Sequence, residues 1–192
     1  MSRYPEDPNL QFLRGSRGGK VRRGYLAHYA FAPAAASNGS VLAATPLLDD
    51  TIQEITLNIT HPDVPRCVSM KGNVTGITGN VIIHGMNSNG TRITETIALN
   101  AATVVVGLLA FSKITKITLP ARVASGNSVS VGLTVKLGLW HFLTWDSRLL
   151  TQFDGSADAG TLAIDADEVE KNQFTPAGTL DGTKVLRIVY IV

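Results

Sequence analysis

Cysteine is nearly absent from this sequence: Cys67 stands alone among 192 residues. A lone thiol cannot form an internal disulfide, and it cannot supply a cysteine-built zinc site. Charge is also scarce. Asp, Glu, Lys and Arg make up 17% of the chain, against about a quarter in an ordinary soluble domain. So thin a charged surface is expected where partner subunits cover much of it. Long apolar runs are missing as well; no segment approaches ~20 consecutive apolar residues, so no membrane span is expected. Residues 27–44 follow Lys20, Arg22 and Arg23 as a signal peptide would, but His28, Tyr29, Pro33, Ser37 and Asn38 interrupt any apolar core. The expected site of synthesis and folding is a cytoplasm, and the sequons at Asn38, Asn58, Asn73 and Asn89 are then chance matches in an Asn/Thr-rich chain.

What the chain has in quantity is β-formers. Val, Ile and Thr dominate its middle, and their branched side chains suit strands better than helices. The 18 glycines punctuate it at short intervals. The net charge of +2 is unevenly spread. Residues 1–30 and 72–139 are each basic, whereas 31–71 and 140–192 are acidic. A subunit with basic and acidic parts can pair its own copies or steer onto a charged partner.

Residues 1–50 read as an extended basic and Ala-rich arm, because Pro5, Pro8, Gly15, Gly18, Gly19, Gly24 and Pro33 break any periodicity. From Phe31 to Leu48 there is no charge, so that stretch is expected to lie along its own domain or a neighbouring subunit. Residues 51–192 read as a β-sandwich domain, with 72–139 its clearest core. Thr51 to Thr60 and Arg66 to Val74 are expected strands around a bend at Pro62 and Pro65. Val81 to Met86 and Thr91 to Leu99 form a hairpin across Asn89-Gly90; Ile93, Glu95, Ile97 and Leu99 share one face of the return strand. Thr103 to Leu109 is apolar throughout and predicts a strand covered on both sides, and Phe111 to Leu119 follows. From Val129 to Leu139 apolar residues alternate with Ser130, Gly132, Thr134, Lys136 and Gly138, which predicts one dry and one wet face. Trp140 to Phe153 is compatible with a short helix or a strand pair. Lys184 to Val192 is strand-like and must be covered in its own sheet or a neighbour's.

Residue groups with chemical potential are few. His61, Asp63 and Cys67 lack the helix start and third orienting group of a cysteine nucleophile, so a bend with a buried thiol is expected. Gly72, Gly76 and Gly79 are turn residues, since no Lys-Ser/Thr follows them. Asp165, Asp167, Glu168 and Glu170 lack the calcium-loop pattern and read as a solvated or partner-facing surface. Glu95, alone on its apolar face, is expected to pair with Arg92, Lys113 or Lys116, or to lie at a wet edge. His28, His84 and His141 lack metal-ligand spacing. Neither catalytic residue, metal nor cofactor is expected. Trp140, His141, Phe142 and Trp145 form the one aromatic cluster, suited to interface anchoring or to stacking on sugar rings. In the arm, Arg14, Arg17, Lys20, Arg22 and Arg23, with Tyr25, are expected to dock on an acidic protein surface in preference to nucleic acid. Trp140 and Trp145 complete the partner-binding set.

The string GNVTGITGNVIIHGMNSNGTRITETIALN, followed by FSKITKITLPA and SVSVGLTVKLGL, spans residues 72–139. It resembles a module in structural proteins of tailed bacteriophages, over about a third of the chain. The resemblance implies a virion subunit without catalytic residues: a head decoration (cement) protein bound to the major capsid protein, or a tail-tube or head–tail joining subunit. The expected assembly is a homo-oligomer, a trimer foremost, located in the virion after synthesis in the bacterial cytoplasm. A carbohydrate-binding adhesin is the alternative of a different class, and a cell-wall hydrolase ranks last because no carboxylate pair or metal site can be assembled. The expected fold is mainly β: an antiparallel sandwich or partly closed barrel behind an extended N-terminal arm.

Overall fold

The computed structural model describes residues 11–13 and 22–192. The chain is mainly β, and every strand pairing is antiparallel. In chain order the strands are β1 (Gln11–Leu13), β2 (Arg22–Gly24), β3 (Leu26–Phe31), β4 (Ser37–Pro46), β5 (Gln53–Ile55), β6 (Arg66–Gly72), β7 (Asn80–Met86) and β8 (Arg92–Ala98). They continue with β9 (Val105–Phe111), β10 (Lys113–Leu119), β11 (Ser128–Gly138), β12 (Arg148–Phe153), β13 (Ser156–Ala157), β14 (Thr161–Ala163), β15 (Gln173–Thr175) and β16 (Leu186–Ile191). One 3₁₀ turn, Val169–Lys171, precedes β15.

Three larger sheets enclose two cores. A sheet of order β5-β10-β7-β8 packs against the sheet β14-β15-β11-β6-β9, to which β4 adds alongside β11. Val68, Met70, Val81, Ile83, Phe111, Ile114, Ile117, Val129 and Val131 fill the space between them. The third sheet, β13-β12-β16-β3, closes a second core around Tyr29, Leu137, Leu139, Leu143, Phe174, Leu186, Ile188 and Tyr190. A sheet's apolar face must be covered by another element, and the two cores are the two solutions this chain finds.

Strand β11 belongs to both. Its Val129, Val131 and Leu133 enter the first core and its Leu137 enters the second. Between them the register with β6 slips, from Leu133↔Val68 to Leu137↔Arg66. Val135 lies in the slipped stretch and is exposed despite its place in the alternation. The wet face expected for this strand is also missing, since Gly132, Thr134 and Gly138 are buried. The small residues there permit close approach: a Cβ at Gly132 would meet the backbone of Ser37 and Asn38.

Residues 26–46, placed in the arm by sequence, are woven into the sheets. β3 pairs with β16, and β4 with β11. Pro33 sits in the connector and Pro46 at the end of β4, where a missing N–H is tolerated. Four further differences from expectation are local. The strand expected over Thr51 to Thr60 is only three residues long, and the chain leaves it through a positive φ at Asn58. β9 is covered on one face only; Val106 and Leu108 of this sheet-edge strand are exposed. Trp140 to Ser147 is irregular and leads into β12. β16 lies inside its own sheet, between β12 and β3.

The β7–β8 hairpin matches its sequence signals. Seven pairs run from Asn80↔Ala98 to Met86↔Arg92, and Gly90 takes the positive φ that the reversal requires. Asn87 holds the turn from inside: its Oδ1 accepts from the N–H groups of Asn89 and Thr91, both at 3.0 Å.

Candidate interaction surfaces

The residues singled out by sequence fall into three groups. Arg14, Arg17 and Lys20 lie outside the described residues. Arg22 and Arg23 are in β2, paired with β1. Tyr25 and Trp145 are both more than half exposed at one end of the third sheet. Tyr25 exchanges backbone bonds with Val192, and Ser147 bonds Ile191 beside it. Trp140 is set apart from them, stacked against Tyr29 and Phe31 with ring centroids 5.3 and 5.1 Å away. It packs, partly buried, against the second core. His141 is bound to the Tyr190 hydroxyl at 2.9 Å, and burial lowers its pKa.

Cys67 is fully buried, burial pushes its thiol up to about 12, and no described side chain hydrogen-bonds its sulfur, although the Thr134 hydroxyl donates to its carbonyl at 3.1 Å. The acidic cluster folds on itself: Asp165 accepts from the N–H groups of Asp167 and Glu168, Glu168 pairs with Lys171, and buried Glu170 accepts from Asn87 at 2.9 Å. Among the described residues, no three His, Cys, Asp or Glu converge as metal ligands would.

One buried charge, Arg66, escaped sequence reasoning. Arg66 is 0% exposed. Its guanidinium donates to the Thr134 carbonyl through Nε (3.0 Å) and NH2 (2.5 Å), to the Ala34 carbonyl (2.9 Å) and to Asp63 Oδ1 (3.2 Å). Asp63 Oδ2 in turn accepts from Ala34 N–H at 2.7 Å. This knot fixes the β3–β4 connector to β6 and to the slipped stretch of β11. Burial alone would raise the Asp63 carboxyl, but Ala34 N–H and Arg66 outweigh it and hold it below its ordinary value.

Glu95 faces inward as its strand position predicts, yet it pairs with none of Arg92, Lys113 or Lys116. Its carboxylate accepts from the N–H groups of Leu108 (2.5 Å) and Leu109 (3.4 Å) on β9. One side chain on the edge of one sheet thereby clasps the edge strand of the other. Burial raises its pKa, against the opposing pull of the two N–H groups and Lys136. Gln173 satisfies the neighbouring Leu108 carbonyl through its Nε2.

The outward faces carry the accessible chemistry. On β8, β7 and β10 the register aligns Arg92, Met86 and Lys113 in one row and Thr94, His84 and Lys116 in the next. A hollow of about 300 Å³ lies among them. Lys116 pairs with Glu54 at 2.6 Å, whereas no described acid pairs with Arg92 or Lys113. A larger hollow of about 510 Å³ borders β12, lined by Asp146, Arg148 and Asp158. There Arg148 is held on Asp146 by Nε (2.9 Å) and NH2 (2.7 Å) and lies over the Phe174 ring. The outer face of the third sheet carries an apolar cluster, with Leu26, Leu149 and Leu150 exposed and Val189 and Ile191 half-buried, beside His28, Arg187 and Gln152.

No known protein family matches the chain, and no curated protein or solved structure matches it either. Among the described residues, no helix is long and apolar enough to cross a membrane.

Proposed function

We propose that this protein is a structural subunit of a tailed-bacteriophage virion, a decoration protein that binds the assembled head and does no chemistry of its own. The observation that supports this best is the split between its interior and its surface. Two packed cores account for the fold, and yet large apolar side chains remain outside on sheet faces: Leu26, Leu149 and Leu150 on one, Val106 and Leu108 on another. Clusters of that kind mark surfaces meant for protein contact. The phage-module resemblance of residues 72–139 supplies the setting. Binding only the assembled shell stabilises it by mass action, with no covalent step. The major capsid protein is then the partner, with the basic segment up to Arg23 reaching onto it.

Immunogold electron microscopy of virions tests this. Label distributed over the head is the expected result. Label along the tail or at the neck would replace decoration with a tube or joining role, and absence of label would end the virion assignment.

One observation favours a second function, glycan binding: Trp145 is 56% exposed, next in sequence to the Asp146–Arg148 pair that borders the larger hollow. An exposed ring adjacent in sequence to fixed planar polar groups suits a sugar. Glycan-array binding abolished by Trp145→Ala would establish it; an array without binding would dismiss it.

A further inference from the structure

Strand β3 forms one edge of the third sheet. Its six residues pair with β16 from Leu26↔Ile191 to Leu186↔Phe31 without a register shift. Just before them, Tyr25 and Val192 exchange both backbone hydrogen bonds, at 2.8 and 2.9 Å. Antiparallel ladders alternate, so Ala27, Tyr29 and Phe31 bond inward to β16. The N–H and C=O groups of Leu26, His28 and Ala30 therefore point away from the sheet. All three residues are exposed, and among the described residues nothing bonds their backbone. Natural edges are blunted by lysine, proline, bulges or brevity. This one has none of these, and no Asp, Glu, Lys or Arg occurs between Tyr25 and Leu48.

The side chains of the same three residues share the sheet's outward face with their cross-strand neighbours. Leu26 lies beside Ile191, His28 beside Val189 and then Leu150, and Ala30 beside Arg187 and then Gln152.

We propose that β3 is an interface with a second copy of this chain, the two β3 strands pairing antiparallel about a two-fold axis through His28. Only one register engages all three outward residues: Leu26 opposite Ala30, His28 opposite His28, Ala30 opposite Leu26. A two-fold, in place of the expected three-fold, follows because an antiparallel edge is complementary to itself. Across the seam the central row reads Leu150, Val189, His28 and then the same residues in reverse, so the apolar stripe becomes continuous. Arg187 faces the copy's Leu26 and Ile191 across Ala30, so the two arginines fall in different rows. The strand's lack of charge, which leaves it unprotected alone, lets two copies approach without repulsion. This pairing does not depend on the virion assignment.

Sedimentation velocity and a cysteine at the axis test it. The wild-type chain is expected to sediment as a dimer at ~100 µM. Opposed residues in a bonded pair have Cα atoms about 5.5 Å apart, within disulfide range. His28→Cys should therefore cross-link to itself on mild oxidation, while Leu26→Cys should cross-link only when mixed with Ala30→Cys. Buried Cys67 leaves a clean background. His28→Pro deletes an outward N–H and none of the β16 ladder, and should weaken dimerisation at least about tenfold while the circular dichroism is unchanged. Ala30→Lys, which puts a charge against Leu26 without touching the backbone, should do the same. A monomeric wild type, a dimer in which His28→Cys fails to cross-link, or a strand from another protein held on β3 in place of a copy would each overturn the proposal.

Discussion

Arg66→Ala is the substitution that most directly tests how this fold is held. It removes a fully buried cation that serves three acceptors, and the consequences differ for each. The Thr134 and Ala34 carbonyls lose their guanidinium donors, and an unsatisfied buried acceptor costs about 1–3 kcal/mol. Asp63 has 35% of its side chain exposed, so water can take over part of its solvation and the ion pair itself adds little. The emptied volume adds a cavity term. The sum is about 3–5 kcal/mol, the range found when one partner of a buried pair is deleted. For a chain of this size that corresponds to a melting temperature lower by roughly 6–20 °C. Urea unfolding followed by tryptophan fluorescence would measure it. A midpoint for Arg66→Ala within about 1 kcal/mol of wild type would refute the view that this knot joins the β3–β4 connector to both β6 and β11.

Glu95 gives a pH prediction of definite sign. Its folded pKa lies above the unfolded value of 4.5, so the folded form takes up the proton first. Its contribution to stability therefore grows as pH falls from the raised value to 4.5 and is lost as pH rises through the raised value. Glu95→Gln keeps an oxygen for the Leu108 N–H, should lie within about 1 kcal/mol of wild type at neutral pH, and should flatten that part of the profile; an unchanged slope in urea midpoints between pH 5 and 8 would contradict it. Asn87→Ala leaves the N–H groups of Asn89 and Thr91 and buried Glu170 without their partner and should cost about 2–3 kcal/mol in the same assay. Cys67, buried and with its thiol pushed up to about 12, should be inert to a thiol reagent in the native protein and react only as fast as the chain unfolds; rapid native labelling would show that the site opens locally.

The parts of the fold that sequence revealed are those set by neighbours in the chain. Asn89-Gly90 between two alternating strands specified the β7–β8 hairpin, and the inward set Ile93, Glu95, Ile97 and Leu99 followed from the period of two. What it hid depends on distant segments. Leu26–Phe31 is a strand because Leu186–Ile191 lies beside it, and nothing near Leu26 announces that partner. The alternation of β11 predicts a wet face, but β4 arrives to cover Gly132. Apolar residues on both faces of β9 suggested double coverage, but among the described residues no second layer covers it, and Leu108 is 67% exposed. Arg66 was invisible for a different reason: hydrophobic patterning assigns cations to solvent, whereas this one finds carbonyls in a strand slip that no pattern marks. Of the aromatic residues named from sequence, Tyr25 and Trp145 are exposed and Trp140 packs, partly buried, against the second core; the outward leucines of β12 were not anticipated.

The β3–β16 ladder also sets a timetable for folding. Leu26 leaves the ribosome long before Ile191, its partner, is made, and loop closure over that distance is slow even once both are present. During translation residues 26–31 wait without their partner strand, surrounded on a polysome by identical uncharged segments. Yield at high expression should thus be governed by how quickly β16 is delivered, and lower growth temperatures should favour the correct neighbour over a sibling chain.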